Sequence, residues 1–338
     1  MPPGLLKTRR EGNVLWAEIC NPHVNFLTVD ILTDLWELVR SAREDDSVRV
    51  LVLTGGIEDT YIMHFSIPEL LRIADDNKAS PIAALSRFGA GRALLEGLLT
   101  VNNVLMDRFP AIEELNLAVA RALRERMFTL LLWLQMQRLY RAIERLDKVT
   151  IAAINGHCNG GGSELSACFD FRFMVGDQGF TIGQPEVLVG IIPGGGGSQR
   201  WPRLIGKAKA LEWMLKGNQL EPLEAREMGI ITEVFDKAGF AGRVQEFADV
   251  LALRPPVAVG AIKRAVHGGS DTFLARALTL ELLESLRVFD TRDAERGMGS
   301  YARLLEERVD VPPGERIAPE ELFDTMYNAS FFEGFDGT

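Results

Sequence analysis

The stretch VTIAAINGHCNGGGSELSACFDFRFMV, residues 149–175, decides the reading of the fold. VTIAAI (149–154) is apolar without polar alternation, as a strand buried on both faces is. The glycines Gly160, Gly161 and Gly162 follow, then SELSACF as the start of a helix, then DFRFMV (170–175) as another strand. Strand, glycine turn, helix and strand make an α/β rhythm. The glycines serve either as a tight turn or as something sharper. Between a buried strand and a helix, free backbone N–H groups and the positive helix end can stabilise an anion. A second cluster, Gly194 to Gly197, lies downstream. Neither cluster carries the lysine and hydroxyl of a P-loop or the GxGxxG spacing of a dinucleotide fold, so a nucleotide reading loses support.

Working outward, VLWAEIC (14–20) and VRVLVLT (48–54) read as buried strands, and Asp30 as the cap of an intervening helix with Ile31, Leu35, Leu38 and Val39 on one face. From Lys207 the pattern turns helical: KAKALEWMLK stops at Gly217, EAREMG follows, and Pro255–Pro256 break the chain before helical segments at 257–267 and 271–290, the last capped by Asp271. Strands fill the first half and helices the last third. The expected organisation is an α/β core over 10–255, a helical C-terminal oligomerisation subdomain over 256–308, and an irregular tail over 309–338 in which Phe331, Phe332 and Phe335 are candidates to dock.

The 338 residues are 47% hydrophobic and 25% charged, the composition of an ordinary soluble globular protein. Such a length buries a core without disulfides or metal. Three scattered cysteines, Cys20, Cys158 and Cys168, point to a reducing compartment. A net charge of -10 argues against a nucleic-acid partner, which needs a basic face. The most apolar run, MFTLLLWLQM (127–136), is too short to span a bilayer, and MPPGLLKTRREGNV lacks the apolar core of a secretory signal, so cytoplasmic residence is expected. His157 and Cys158 point oppositely on a strand and share no ligand spacing with other residues, so no metal is expected.

TIAAINGHCNGGGSELSACFDFR, followed by FTIGQPEVLVGIIPGGGGSQRWPRLIG, resembles the signature of the enoyl-CoA hydratase/isomerase, or crotonase, family. The resemblance extends to NPHVN (21–25, with Val24), to Val48–Leu70, to RPPVAVGAIKRAV and to FDTRDAERGMGSYARLLEER. It implies a spiral of ββα units with trailing helices, assembled as a homotrimer or dimer of trimers. It also implies an acyl-CoA thioester as substrate, coenzyme A entering as part of it rather than as a cofactor.

By the same resemblance, an oxyanion hole pairs the N–H of Gly161 with that of Phe65. Phe65 lies in Met63-His64-Phe65-Ser66, where relatives carry small residues. Glu164 and Glu186 fall where hydratases carry two catalytic acids, the N–H of Gly194 would help hold the water, and Lys263 matches a lysine near the coenzyme phosphates. Taken singly, each glutamate reads as a solvated acid. Together they fit hydration, which needs one carboxylate to activate water and one carboxylic acid to protonate the α-carbon. The alternatives are an isomerase or lyase using the same enolate, or a non-catalytic scaffold whose pocket is blocked at His64-Phe65-Ser66. Relative to that family pattern, a spacing excess of about two residues around 176–182 calls for a loop or bulge. Residues 71–147 form a long helical insertion, whose stretch DRFPAIEELNLAVARALRERMFTLLLWLQMQRLYRAIERLDK (107–148) reads as one or two long helices that pack on the core, line an acyl pocket or add an interface.

Overall fold

A computed structural model describes residues 4–79, 81–122, 128–176, 179–330, 332 and 334–338. Its strands are β1 (Leu6–Glu11), β2 (Val14–Ile19), β3 (Val50–Gly55), β4 (Thr60–Ile62), β5 (Val149–Ile154), β6 (His157–Asn159), β7 (Phe171–Val175), β8 (Ile182–Gly183), β9 (Gln219–Leu220) and β10 (Glu233–Phe235). They build a six-stranded sheet, β1-β2-β3-β5-β7-β10, and a four-stranded sheet, β4-β6-β8-β9. In the larger sheet only β1 and β2 are antiparallel. In the smaller, β4, β6 and β8 are parallel and β9 opposes β8.

Parallel neighbours need a crossover, and in the large sheet β2 reaches β3 through the helix Val29–Glu44, whereas the crossovers from β3, β5 and β7 pass through the second sheet. β3, β5 and β7 lie in the large sheet, and each is followed within a few residues by β4, β6 or β8 in the small one. A helix or helical turn then returns the chain. This is the crotonase-like spiral of ββα units. All six residues of β5 are buried, which accounts for its unbroken apolar run.

The helices are α1 (Val29–Glu44), α2 (Ile67–Ala79), α3 (Pro81–Ser86), α4 (Gly89–Arg108), α5 (Pro110–Ala122), α6 (Phe128–Glu144), α7 (Gly161–Ser166), α8 (Gly197–Ile205), α9 (Lys207–Lys216), α10 (Pro222–Met228), α11 (Phe240–Ala252), α12 (Pro256–Gly269), α13 (Leu274–Phe289), α14 (Arg292–Arg308) and α15 (Pro319–Tyr327). The insertion runs from within α2 to α6, and its 107–148 stretch holds two long helices, α5 and α6, as its sequence predicts. α6 gives it a core face, burying Leu132, Leu139, Tyr140 and Ile143. Arg124, Arg126 and Met127 lie outside the described residues. Among the described residues no helix is long and apolar enough to cross a membrane.

Two caps differ from expectation. Thr28, in extended conformation, caps α1 by accepting the Ile31 N–H at 3.3 Å, which leaves Asp30 inside the first turn. α13 starts after Phe273, while Asp271 pairs with Arg203 at 2.8 Å. In both cases the chain enters the helix at a residue that sequence alone does not single out. Gly217 does end α9, in the left-handed conformation.

The tail is likewise not irregular throughout, because it contains α15 and docks its last residues. Asp293 at the start of α14 is 1% exposed. Its carboxylate accepts the N–H groups of Asp336 (3.2 Å) and Gly337 (2.7 Å) and pairs with Arg296. Phe332 and Phe335 lie 4.6 Å apart, ring to ring, whereas Phe331 falls outside the described residues. Asp293→Ala strips those N–H groups of their acceptor and should cost about 2 kcal/mol or more, read as a lower Tm and faster proteolysis of the tail.

Candidate active site

The glycine turn after β6 is shaped by its neighbours. Gly160 donates to the Gly183 carbonyl at 2.9 Å and takes φ of 50°, a left-handed value that favours glycine. Gly162 packs so closely on β4 that a Cβ there would lie 2.6 Å from the Ile62 carbonyl oxygen. First-turn N–H groups of a helix have no intrahelical acceptor, so the Gly161 N–H at the start of α7 is available. Opposite it, Leu27 and Phe65 form a parallel bridge: Leu27 donates to the His64 carbonyl (2.9 Å) and Ser66 to the Leu27 carbonyl (2.8 Å). That pairing turns the Phe65 N–H away from Leu27. A Cβ placed on Gly161 would lie 3.6 Å from the Phe65 nitrogen, so the two backbone donors are neighbours.

Glu164, on α7, is 4% exposed, and Glu186, opening the turn Glu186–Val189 after β8, is 8% exposed. Glu164 Oε1 accepts the Gly197 N–H at 2.8 Å. Burial raises its carboxyl to about 7, against the opposing pull of the Gly197 and Gly195 amides and of Arg200. Burial, and then the charge of Glu164, raises Glu186 to about 7 as well. Among the described residues Glu186 Oε2 is buried without a hydrogen-bond partner. Both acids line one cavity of about 580 Å³, together with His64, Phe65, Gly161 and Gly194. The spacing excess before Glu186 does not prevent this. β8 rejoins the small sheet, Ile182 opposite Cys158, although Asp177 and Gln178 lie outside the described residues.

The remaining sequence candidates are not on the cavity wall. Met63 donates to the Val24 carbonyl at 3.3 Å, and Ser66 accepts from Leu70 at 3.0 Å. These contacts hold the Phe65 segment from behind. Lys263 requires a correction: it is 9% exposed, its Nζ lies 2.7 Å from Asp170 Oδ2 and 2.8 Å from the Lys148 carbonyl, and it sits by the starts of β5 and β7. Asp170 also accepts the Thr150 N–H at 2.8 Å. Lys263 thus ties strand starts together rather than facing the cavity, which opens at the other ends of those strands. His157 meets Thr181 Oγ1 at 3.2 Å, and burial pushes the Cys158 thiol upward. Among the described residues no three His, Cys, Asp or Glu side chains are grouped to hold a metal ion.

One feature escaped sequence reasoning. Arg200 on α8 grips Glu144 through two contacts of 2.5 and 3.0 Å and reaches the Gly195 carbonyl at 3.4 Å. It anchors the loop whose amides face Glu164, but its partner lies 56 residues upstream, where no local spacing reveals it. The acyl-pocket alternative for the insertion fits the cavity wall that α2 and α6 supply.

A spiral of ββα units that buries two carboxyls beside paired backbone donors defines a crotonase-fold protein. The sequence model of the enoyl-CoA hydratase/isomerase family matches residues 118–308. YngF of Bacillus subtilis (strain 168), whose name carries the same enoyl-CoA hydratase/isomerase term, is 34% identical over 277 residues, 82% of this chain and 86% of that protein. The crotonyl-CoA hydratase of Syntrophomonas wolfei is 28% identical, with the same two coverages. A crystal structure of an enoyl-CoA hydratase from Bacillus anthracis matches with a TM-score of 0.67 at 23% identity, covering 89% of this chain and 96% of that one, a likeness of fold. The chain belongs to the enoyl-CoA hydratase/isomerase family.

Removing one partner of a buried ion pair costs about 3–5 kcal/mol, so Lys263→Met should lower Tm strongly. KM for an acyl-CoA should stay unchanged in the folded variant, whereas a phosphate-binding lysine would raise it on substitution.

Proposed function

We propose that this protein is an enoyl-CoA hydratase, converting a 2-enoyl-CoA and water into a 3-hydroxyacyl-CoA. The observation that carries the reading is the shared burial of Glu164 and Glu186 in one cavity beside the N–H groups of Phe65 and Gly161. The thioester oxygen accepts from the two backbone donors, which stabilise the charge that develops there. Glu164, supplied with the Gly197 N–H, is the better anion and takes a proton from water as its oxygen bonds C3. The C2–C3 π electrons move onto the thioester oxygen as an enolate. Glu186, next to that charge and lacking a donor for Oε2, is the better neutral acid and protonates C2. The proton gained by Glu164 and the one lost by Glu186 cancel over the cycle. In this reading Gly194 helps hold the water, and Val24, Met63, His64 and Ser66 shape the site.

Coenzyme A arrives within the substrate, and the reading uses no cofactor. The relatives' names support acyl-CoA chemistry at this coarser level. An isomerase would need the same enolate but only one acid, so the acid pair favours hydration. The scaffold reading requires a filled pocket, yet Phe65 is 7% exposed and the cavity of about 580 Å³ remains beside it. α13 buries none of its residues and exposes Leu274, Leu278, Leu282 and Phe289, which supports a homotrimer or dimer of trimers. The free cysteines agree with a cytoplasmic setting.

Loss of conjugated-enoyl absorbance measures the reaction. Glu164→Gln and Glu186→Gln should each lower kcat about 100-fold or more, and unchanged hydration in both would refute the acid pair. In the parent, acid protonates the base and alkali ionises the acid, so kcat/KM should trace a bell near pH 7, with apparent values belonging to the pair. Stability follows the same raised values. The stabilising balance of the buried neutral acid is full below the ordinary carboxyl range and lost as pH rises through about 7. Glu186→Gln should therefore melt above the parent at pH 8.5 and level with it at pH 4.

A further inference from the structure

We infer that the cavity is a straight-chain acyl slot about ten carbons deep, built by this chain's insertion; the inference rests on the hydratase reading for its chemistry. α2 and α6 run antiparallel along the cavity. At one end Ile67 follows directly on Phe65 and Ser66, and a Cβ placed on Gly195 beside Glu164 would lie 2.7 Å from Met136 Cε. At the other end Asp76 accepts the N–H of Thr129 at 3.2 Å and its hydroxyl at 3.4 Å. The lining residues of α2 extend from Ile67 to Ala74 and those of α6 from Met136 back to Thr129. Seven helical steps at about 1.5 Å each make an apolar wall of roughly 10 Å.

Leu70 and Ile73 from α2 and Leu132 and Trp133 from α6 form that wall, and Leu188 and Ile192, both largely exposed, complete the lining. Apart from Thr129 at the far end and the Trp133 indole N–H, these side chains are hydrocarbon. An extended chain advances about 1.2 Å per bond, a third of the roughly 3.6 Å span of a three-bond residue. The wall therefore accommodates about eight bonds beyond C3, or acyl chains of about ten to twelve carbons. Ala74, the last lining residue of α2, is exposed, so among the described residues the slot ends at an open face. Longer chains gain nothing beyond that point, but they are not excluded.

Each methylene buried is worth about 0.8 kcal/mol, close to a fourfold effect. This binding appears in kcat/KM. Across 2-enoyl-CoAs of 4, 6, 8, 10, 12 and 16 carbons, kcat/KM should rise by about fourfold per carbon up to about 10–12 and then level off. The 10-carbon substrate should exceed cinnamoyl-CoA, whose ring fills only part of the slot. Ile73→Asn should cut the 10-carbon to 4-carbon ratio about tenfold. A flat series, a 4-carbon optimum or a preference for cinnamoyl-CoA overturns the slot.

Calorimetry with saturated acyl-CoAs separates this inference from the hydratase reading. If no enoyl-CoA is hydrated but affinity climbs from butanoyl- to decanoyl-CoA, the hydratase reading falls and the slot stands. If hydration occurs while affinity ignores chain length, the slot falls and the hydratase reading stands.

Discussion

Burial of two carboxyls in one largely apolar cavity is the constraint on which the rest of this structure turns. A lone ionised carboxylate withdrawn from water costs several kcal/mol, and a second beside it adds repulsion. The fold offsets this at Glu164 with the Gly197 N–H and the nearby charge of Arg200. At Glu186 only its own backbone N–H opposes burial, Oε2 has no partner among the described residues, and the carboxyl is held toward the neutral form. The asymmetry separates the two acids by environment and not by residue type.

Much of the surrounding architecture serves that arrangement. Backbone amides can reach Glu164 only because the chain near it lacks side chains: a Cβ on Gly197 would lie 3.0 Å from Glu164 Oε1. The loop in turn is held by Arg200, and Arg200 by Glu144 at the end of α6. The insertion is thus joined to the acid site by an ion pair as well as by packing. One helix, α6, fills the core with one face, walls the cavity with another and presents Glu144 to the loop. The proposed division of labour follows: the glycine turns carry the reaction and the insertion sets chain length.

Legibility in the sequence tracked the strength of local signals. β5 was readable because a strand buried on both faces needs an unbroken apolar run, and α9 because Gly217 takes the left-handed conformation that stops a helix. The short strands β4, β6, β8 and β9, of two or three residues, are too brief for any period to register. Asp30 and Asp271 looked like caps, yet capping depends on where the backbone leaves extended geometry, and that point was Thr28 for α1 and Phe273 for α13. Lys263 looked like a lysine near the coenzyme phosphates because a matching motif does not reveal that Asp170 and the Lys148 carbonyl are waiting for it.

By itself, the sequence determined the α/β class and the glycine turns, each written in contiguous residues whose local chemistry restricts the backbone, and its resemblance to a known family singled out the two glutamates as candidates. Only the tertiary structure decided which of those residues meet. Phe65 and Gly161 are 96 positions apart by number, and Arg200 and Glu144 are 56 apart. Their approach depends on the alternation of strands between two sheets, and the size of the cavity depends on how α2 and α6 pack across it. Burial, and with it the displaced proton affinities of Glu164 and Glu186, is a property of that assembled environment, because it measures the water that all the other segments exclude.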